Sequence, residues 1–205
     1  DASYGLIAAP FALFVVPWPE PHMWPIFAGA VLIHIFYKVL QAMTYTRGAF
    51  TVVYPVVRGT GPFFTVIGAG IVFGEHFAPG QWAGLALLVG GILGLAAWNL
   101  NHVTHDRATM GPALWLAVAT GAMVAAYTTY DAYGIRATAD PFTFLAWFFL
   151  LDGIFIPVVT QARWRQLAAA EAWPLLKRGV LGAFVAYFSF GSIMLATRLD
   201  KVGEA

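Results

Sequence analysis

Long apolar runs, each close to the length of a membrane-spanning helix, constrain this chain more than any other feature. A bilayer core is crossed by about 20 apolar residues of α-helix. Seven such runs are read, at about Tyr4–Trp18 (the shortest), Met23–Thr46, Ala49–Phe73, Gln81–Trp98, Gly111–Ile135, Pro141–Thr160 and Gly179–Thr197. The breaks between them carry turn chemistry: Pro17-Trp18-Pro19-Glu20-Pro21, Arg47-Gly48, Glu75 to Gly80, Asn99 to Arg107, and Asp140-Pro141. Backbone polar groups in lipid bond within their own helix, and the runs lack the alternation of a membrane barrel, so the fold class predicted is all-α integral membrane.

Composition agrees. The 205 residues are 60% hydrophobic and 10% charged, against about 25% charged in soluble domains. The 16 Trp and Tyr residues cluster toward segment ends, as in an aromatic belt. A formal net charge of +1 provides no basic field, so nucleic acid is not an expected partner; the lipid bilayer is. With no cysteine, disulfides and thiolate metal sites are excluded. The chain opens at Asp1 with no charged leader before its apolar sequence, which reads as a segment cut from a longer gene product.

Charges at membrane depth cost roughly 2.5–3.5 kcal/mol each on insertion scales and mark function by default. Arg58 stands out, about 13–15 Å from the nearer end of its segment at ~1.5 Å per residue. Its surroundings are Tyr54-Pro55-Val56-Val57-Arg58-Gly59-Thr60-Gly61-Pro62. Pro55 deprives the Thr51 carbonyl of its helical donor, and Pro62 does the same to Arg58. Freed carbonyls beside a guanidinium are what a discontinuous transporter helix offers a solute; the alternative is an Arg that ties helices together through carbonyls. Thr51, Tyr54, Arg58, Gly61 and Thr65 share a face of a continuous helix.

His34, Tyr37, Lys38, Gln41 and Tyr45 form a polar stripe on the second segment and are expected to line a cavity or the bundle centre. Alternatively, Lys38 snorkels to the interface and the others only pack. On the fifth segment Thr120, Tyr127 and Asp131 share a face, with Asp131 close to the end. Asp152 lies mid-span in Leu150-Leu151-Asp152-Gly153. A buried carboxylate calls for a cation, a proton or hydrogen bonds; Arg58, Lys38 or a coupling proton would answer. Gly70/Gly74 and Gly90/Gly94 are candidate helix-packing pairs. Lys and Arg, with Lys38 and Arg58 set aside, divide six to three (Arg47, Arg107, Arg163, Arg165, Lys177 and Arg178 against Arg136, Arg198 and Lys201), which places the first face in the cytoplasm.

Enzyme chemistry finds little support. HExxH, GxSxG, P-loop and GxGxxG patterns are absent. His102, His105 and Asp106 read as a solvated loop rather than a metal site. A retinal protein would need its Schiff-base Lys at Lys38, on the second segment.

The stretch Val53-Tyr54-Pro55-Val56-Val57-Arg58-Gly59-Thr60-Gly61-Pro62, then Phe73-Gly74-Glu75, resembles the fourth helix of EamA-like members of the drug/metabolite transporter superfamily. Gln81 to Ala97 looks like the fifth helix. Ala126 to Arg136 resembles the start of the second EamA repeat, with Ala132 where Gly is common, and Phe148 to Gly153 also fits. The resemblance covers nearly the whole chain. It implies ten helices in two inverted five-helix repeats, of which this chain holds helices two to eight: residues 1–100 the first repeat without its first helix, 108–205 the second without its last two. Trp24-Pro25 with Gly29-Ala30, and Trp173-Pro174 with Gly182-Ala183, are echoes of that repeat. The family keeps both termini in the cytoplasm, opposite to the charge count.

The resulting expectation is a secondary transporter of small organic solutes, an exporter working by alternating access in a plasma membrane, taken as a bacterial inner membrane. His34, Lys38, Gln41, Tyr54, Arg58, Tyr127, Asp131 and Asp152 are the expected pathway residues. No prosthetic group is required; protons or another ion supply the drive. A membrane-embedded enzyme or lipid-handling protein, and a non-transporting membrane subunit, are the alternatives.

Overall fold

Each apolar run becomes helix in a computed structural model that describes residues 1–102 and 107–204. The elements are α1 (Ala2–Phe14), α2 (Met23–Arg47), α3 (Phe50–Phe73), α4 (Pro79–His102), α5 (Arg107–Ala137), α6 (Pro141–Asp152), α7 (Phe155–Trp164) and α8 (Ala169–Leu199). Among the described residues there is no strand. Six stretches among the described residues are long and apolar enough to cross a bilayer, with α6 and α7 together forming one of them, and α1 is a shorter apolar helix. The architecture is that of a multi-pass α-helical membrane protein.

Helix ends follow local chemistry. The Asp140 carboxylate accepts hydrogen bonds from the Phe142 and Thr143 amides (3.2 and 2.9 Å), and Pro141 sits where a missing N–H costs nothing. Gly74 closes α3 at φ 66°, the left-handed conformation that favours glycine. α4 starts at Pro79, slightly before the expected Gln81, and the Gln81 side chain accepts from the Ala78 amide (2.6 Å). Asn99, expected in a break, is helical. α8 begins ten residues before the expected Gly179, because Pro174 falls in its first turns, where it breaks few bonds.

Two other expectations are corrected. α3 runs unbroken through Pro55 and Pro62, so it is not a discontinuous helix. The interrupted span is instead the one read as Pro141–Thr160, which divides at Gly153-Ile154 into α6 and α7. There the Ile154 amide bonds the Leu151 carbonyl (3.2 Å), one residue short of α-helical register, and Pro157 has no N–H to offer Gly153.

The chain divides into two compact units: Asp1–Leu32 with Asp131–Asp200, and Ile33–Tyr130 with Lys201–Ala205. The first is built on aromatic packing. Phe27 stacks on Phe144 at 5.4 Å, and Trp147 meets Trp18 and Trp24 at 4.9 and 5.3 Å. α1 crosses α6 where Gly5 faces Gly153; a Cβ on Gly153 would lie 2.6 Å from the Gly5 Cα. The second unit centres on α3, whose Val53, Val56 and Val57 pack with Ala96 of α4 and with Ala113 and Ala117 of α5. Close backbone approach uses Gly59 against Ile92, and Gly121 against Thr60 and Gly61. The expected pairs play no such part: Gly90, Gly94 and Gly74 have nothing within reach of an added Cβ, and Gly70 meets only the Glu75 carbonyl.

Candidate functional site

In the second unit the polar stripe of α2 faces inward. His34 is buried (6% exposed), and Tyr37, Lys38, Gln41 and Tyr45 are half-buried. On the opposite side of the helix Leu32, Phe36 and Val39 are exposed. This is amphipathicity turned inside out, as lipid requires of a helix with a polar stripe. The His34 and Tyr37 rings pack on Tyr127 of α5 at 4.6 and 4.9 Å, and Gln41 Nε2 donates to the Tyr37 hydroxyl (2.6 Å). One turn further along, the buried hydroxyls of Thr44 and Thr120 lie 2.9 Å apart, and each reaches a carbonyl of its own helix (Leu40 and Leu116), so this polar crossing of α2 and α5 is satisfied.

Arg58 of α3 is exposed, and its Nε donates to the Tyr54 hydroxyl at 3.2 Å. Its guanidinium carbon also lies 5.4 Å from the centre of the Tyr54 ring, within cation–π range. Phe50 stacks on Tyr54 at 4.9 Å, and Tyr45 stands 6.4 Å from Tyr54. The face read as Thr51, Tyr54, Arg58, Gly61 and Thr65 is therefore divided. Its first half is open, and its second half is packed: Thr65 is buried, and Gly61 meets Val124 of α5.

The carbonyl that Pro55 releases has a partner that the sequence did not suggest. Asn99 Nδ2 of α4 donates to the Thr51 carbonyl at 2.8 Å. The donor-less carbonyl was legible; its partner 48 residues away was not, because an Asn near a helix end reads as a turn residue.

Asp131 and Asp152 belong to the other unit. Asp131 is fully buried, six residues before the end of α5. Asp152 ends α6, is 3% exposed and accepts a hydrogen bond from the Tyr4 hydroxyl of α1. The Tyr187 hydroxyl of α8 donates to the Tyr4 carbonyl, and Phe149 packs edge-on to Tyr187 at 4.7 Å. Neither Tyr4 nor Tyr187 was a candidate, since a single Tyr in an apolar run is ordinary.

Of the loop cluster, His105 and Asp106 lie outside the described residues. His102 packs on Trp98 at 4.4 Å at the end of α4. No family model, no curated protein and no solved structure matches this chain.

Proposed function

We propose that this chain is a transport protein that moves small organic solutes across a membrane, with the α2–α3–α5 cluster as solute contact surface. The observation that carries this reading is Arg58: a guanidinium deep in a spanning helix, on an open flank, beside an inward polar stripe. A permanent charge there is too costly to face acyl chains, and a hydrated pathway removes the cost. A purely structural Arg would be expected to engage its terminal nitrogens on carbonyls, as Arg198 does at the end of α8. The division of α6–α7 beside a buried carboxylate supports ion coupling, because carbonyls at the ends of half-helices suit cations. The resemblance to EamA-like transporters points the same way, with export by alternating access.

The test is efflux of a labelled metabolite panel from cells with wild-type protein or Arg58→Ala at equal membrane abundance. Selective efflux that the substitution abolishes is the expected result. Efflux of the same solutes at unchanged rate would make Arg58 structural, and an empty panel with a folded, membrane-inserted protein would count against transport.

A further inference from the structure

Building on the transport reading, we infer that the Arg58 cluster selects a small organic oxyanion with a flat apolar body. Three observations converge on this. First, the guanidinium is only partly used. Its Nε is held by Tyr54, while neither terminal nitrogen has an acceptor among the described residues. Both of those nitrogens remain for a ligand, and they form the planar fork that matches a carboxylate or phosphate with two parallel hydrogen bonds.

Second, no acid of this unit shares the helices with Arg58. Residues 33–73, 79–102 and 107–130 contain no Asp or Glu. No described carboxylate lies within ion-pair distance of Arg58. A negative ligand is thereby attracted to Arg58 and a cationic one repelled.

Third, the surface beside the fork is aromatic. The Tyr54 ring lies under the guanidinium, with Phe50 stacked on it and Tyr45 alongside. Such faces offer dispersion contact to a flat body at little entropic cost, which an inorganic anion would leave unused. The Tyr54 hydroxyl, engaged with Nε, fixes the fork's direction and thereby pre-orients it.

The experiment uses the full chain, purified in detergent, and reads thermal stability against benzoate, phenyl phosphate, benzamide and benzylamine, with chloride at equal ionic strength as the reference. Benzoate or phenyl phosphate is expected to raise the melting temperature saturably, and whichever is stronger identifies the oxyanion. Benzamide, of the same shape without charge, and benzylamine, of opposite charge, are expected to bind at least about tenfold more weakly. Arg58→Gln should remove the preference for benzoate over benzamide while leaving the unliganded melting temperature close to wild type; Arg58→Lys should restore it in part, charge without the fork. Equal shifts with benzoate and benzamide, a preference that survives Arg58→Gln, or no response to either oxyanion overturns the inference. Flux in proteoliposomes separates this from the transport reading. Oxyanion binding through Arg58 without flux would leave the site standing and transport refuted. Flux of neutral or cationic solutes indifferent to Arg58→Gln would do the reverse.

Discussion

At the scale of single residues, the most informative positions are those where a backbone group or a missing side chain has one specific neighbour. The Thr51 carbonyl, stranded by Pro55, is rescued by Asn99. Asn99→Leu keeps the volume and removes the donor, leaving the Thr51 carbonyl without its side-chain partner. A loss of about 1–3 kcal/mol is expected, read as a lower melting temperature in detergent and faster exchange along the start of α3. Glycines divide sharply. At Gly121 an added Cβ would lie 2.0 Å from Thr60 Oγ1 and 3.2 Å from the Gly61 amide nitrogen, so Gly121→Ala should destabilise by roughly 1–3 kcal/mol. Gly94→Ala meets nothing, and its melting temperature should be unchanged or higher. The sequence motif pointed to the wrong glycines because spacing reveals a smooth helix face but not whether a neighbour lies against it.

At the scale of elements, helix identity was the most legible part of the fold, since apolar length alone dictates it. Ends and interruptions were harder. The division at Gly153 coincides with a tight crossing against Gly5, a contact that spans 148 positions. The ends of α5 and α8 show a further device. Arg136 of α5 donates to the Thr197 and Asp200 carbonyls (both 2.7 Å), and Arg198 of α8 donates to those of Ile135, Thr138 and Ala139 (2.7, 2.7 and 3.0 Å). Each arginine thus neutralises the orphan carbonyls of the other helix, where the helix dipole also favours a cation. Sequence reading counted both only as topology-determining charges. Arg136→Gln and Arg198→Gln should each cost about 1.5–3 kcal/mol, and the double variant less than their sum, because both damage one joint. Thermal unfolding of the four proteins measures the coupling; strict additivity would refute it.

At the scale of the whole molecule, the last residues return to the turn between α3 and α4. The Glu75 carboxylate accepts from the amides of Val202 and Gly203 (2.8 and 3.2 Å), Val202 is 2% exposed, and Gly203 lies against Phe77. Lys201 Nζ and Gln81 Nε2 both donate to Glu204 Oε1 at 2.8 Å. Those bonds, the Lys201 ammonium first, hold the Glu204 carboxyl below its ordinary value of 4.5. A depressed carboxyl contributes its stabilisation fully above that ordinary value and loses it as pH falls through the lowered one. Exchange of the Glu204 amide, which bonds the Lys201 carbonyl (3.1 Å), should therefore, corrected for intrinsic rates, be slow at neutral pH and accelerate in acid; Glu75→Ala should accelerate exchange at Val202 and Gly203 at every pH. A flat profile in the wild type would refute this. The Gly74-Glu75 dipeptide, weak as a sequence signal, thus has a physical role as an acceptor for a distant backbone. The polar cluster around Arg58 was legible in outline because charge in an apolar run is conspicuous; which of its faces opens and which packs was decided by α5, a partner that periodicity within α3 cannot reveal.

The interruption within the Pro141–Trp164 span has a consequence for how the protein is made. This is the most apolar of the six crossings, yet folded it consists of pieces of 12 and 10 residues. At ~1.5 Å per residue neither piece is long enough to cross a bilayer by itself. Insertion machinery, which responds to summed hydrophobicity, would thus admit the segment as one uninterrupted rod. The joint at Gly153, where Gly5 of α1 lies against it and the Tyr4 hydroxyl donates to Asp152, would then belong to the assembled protein rather than to the entering segment.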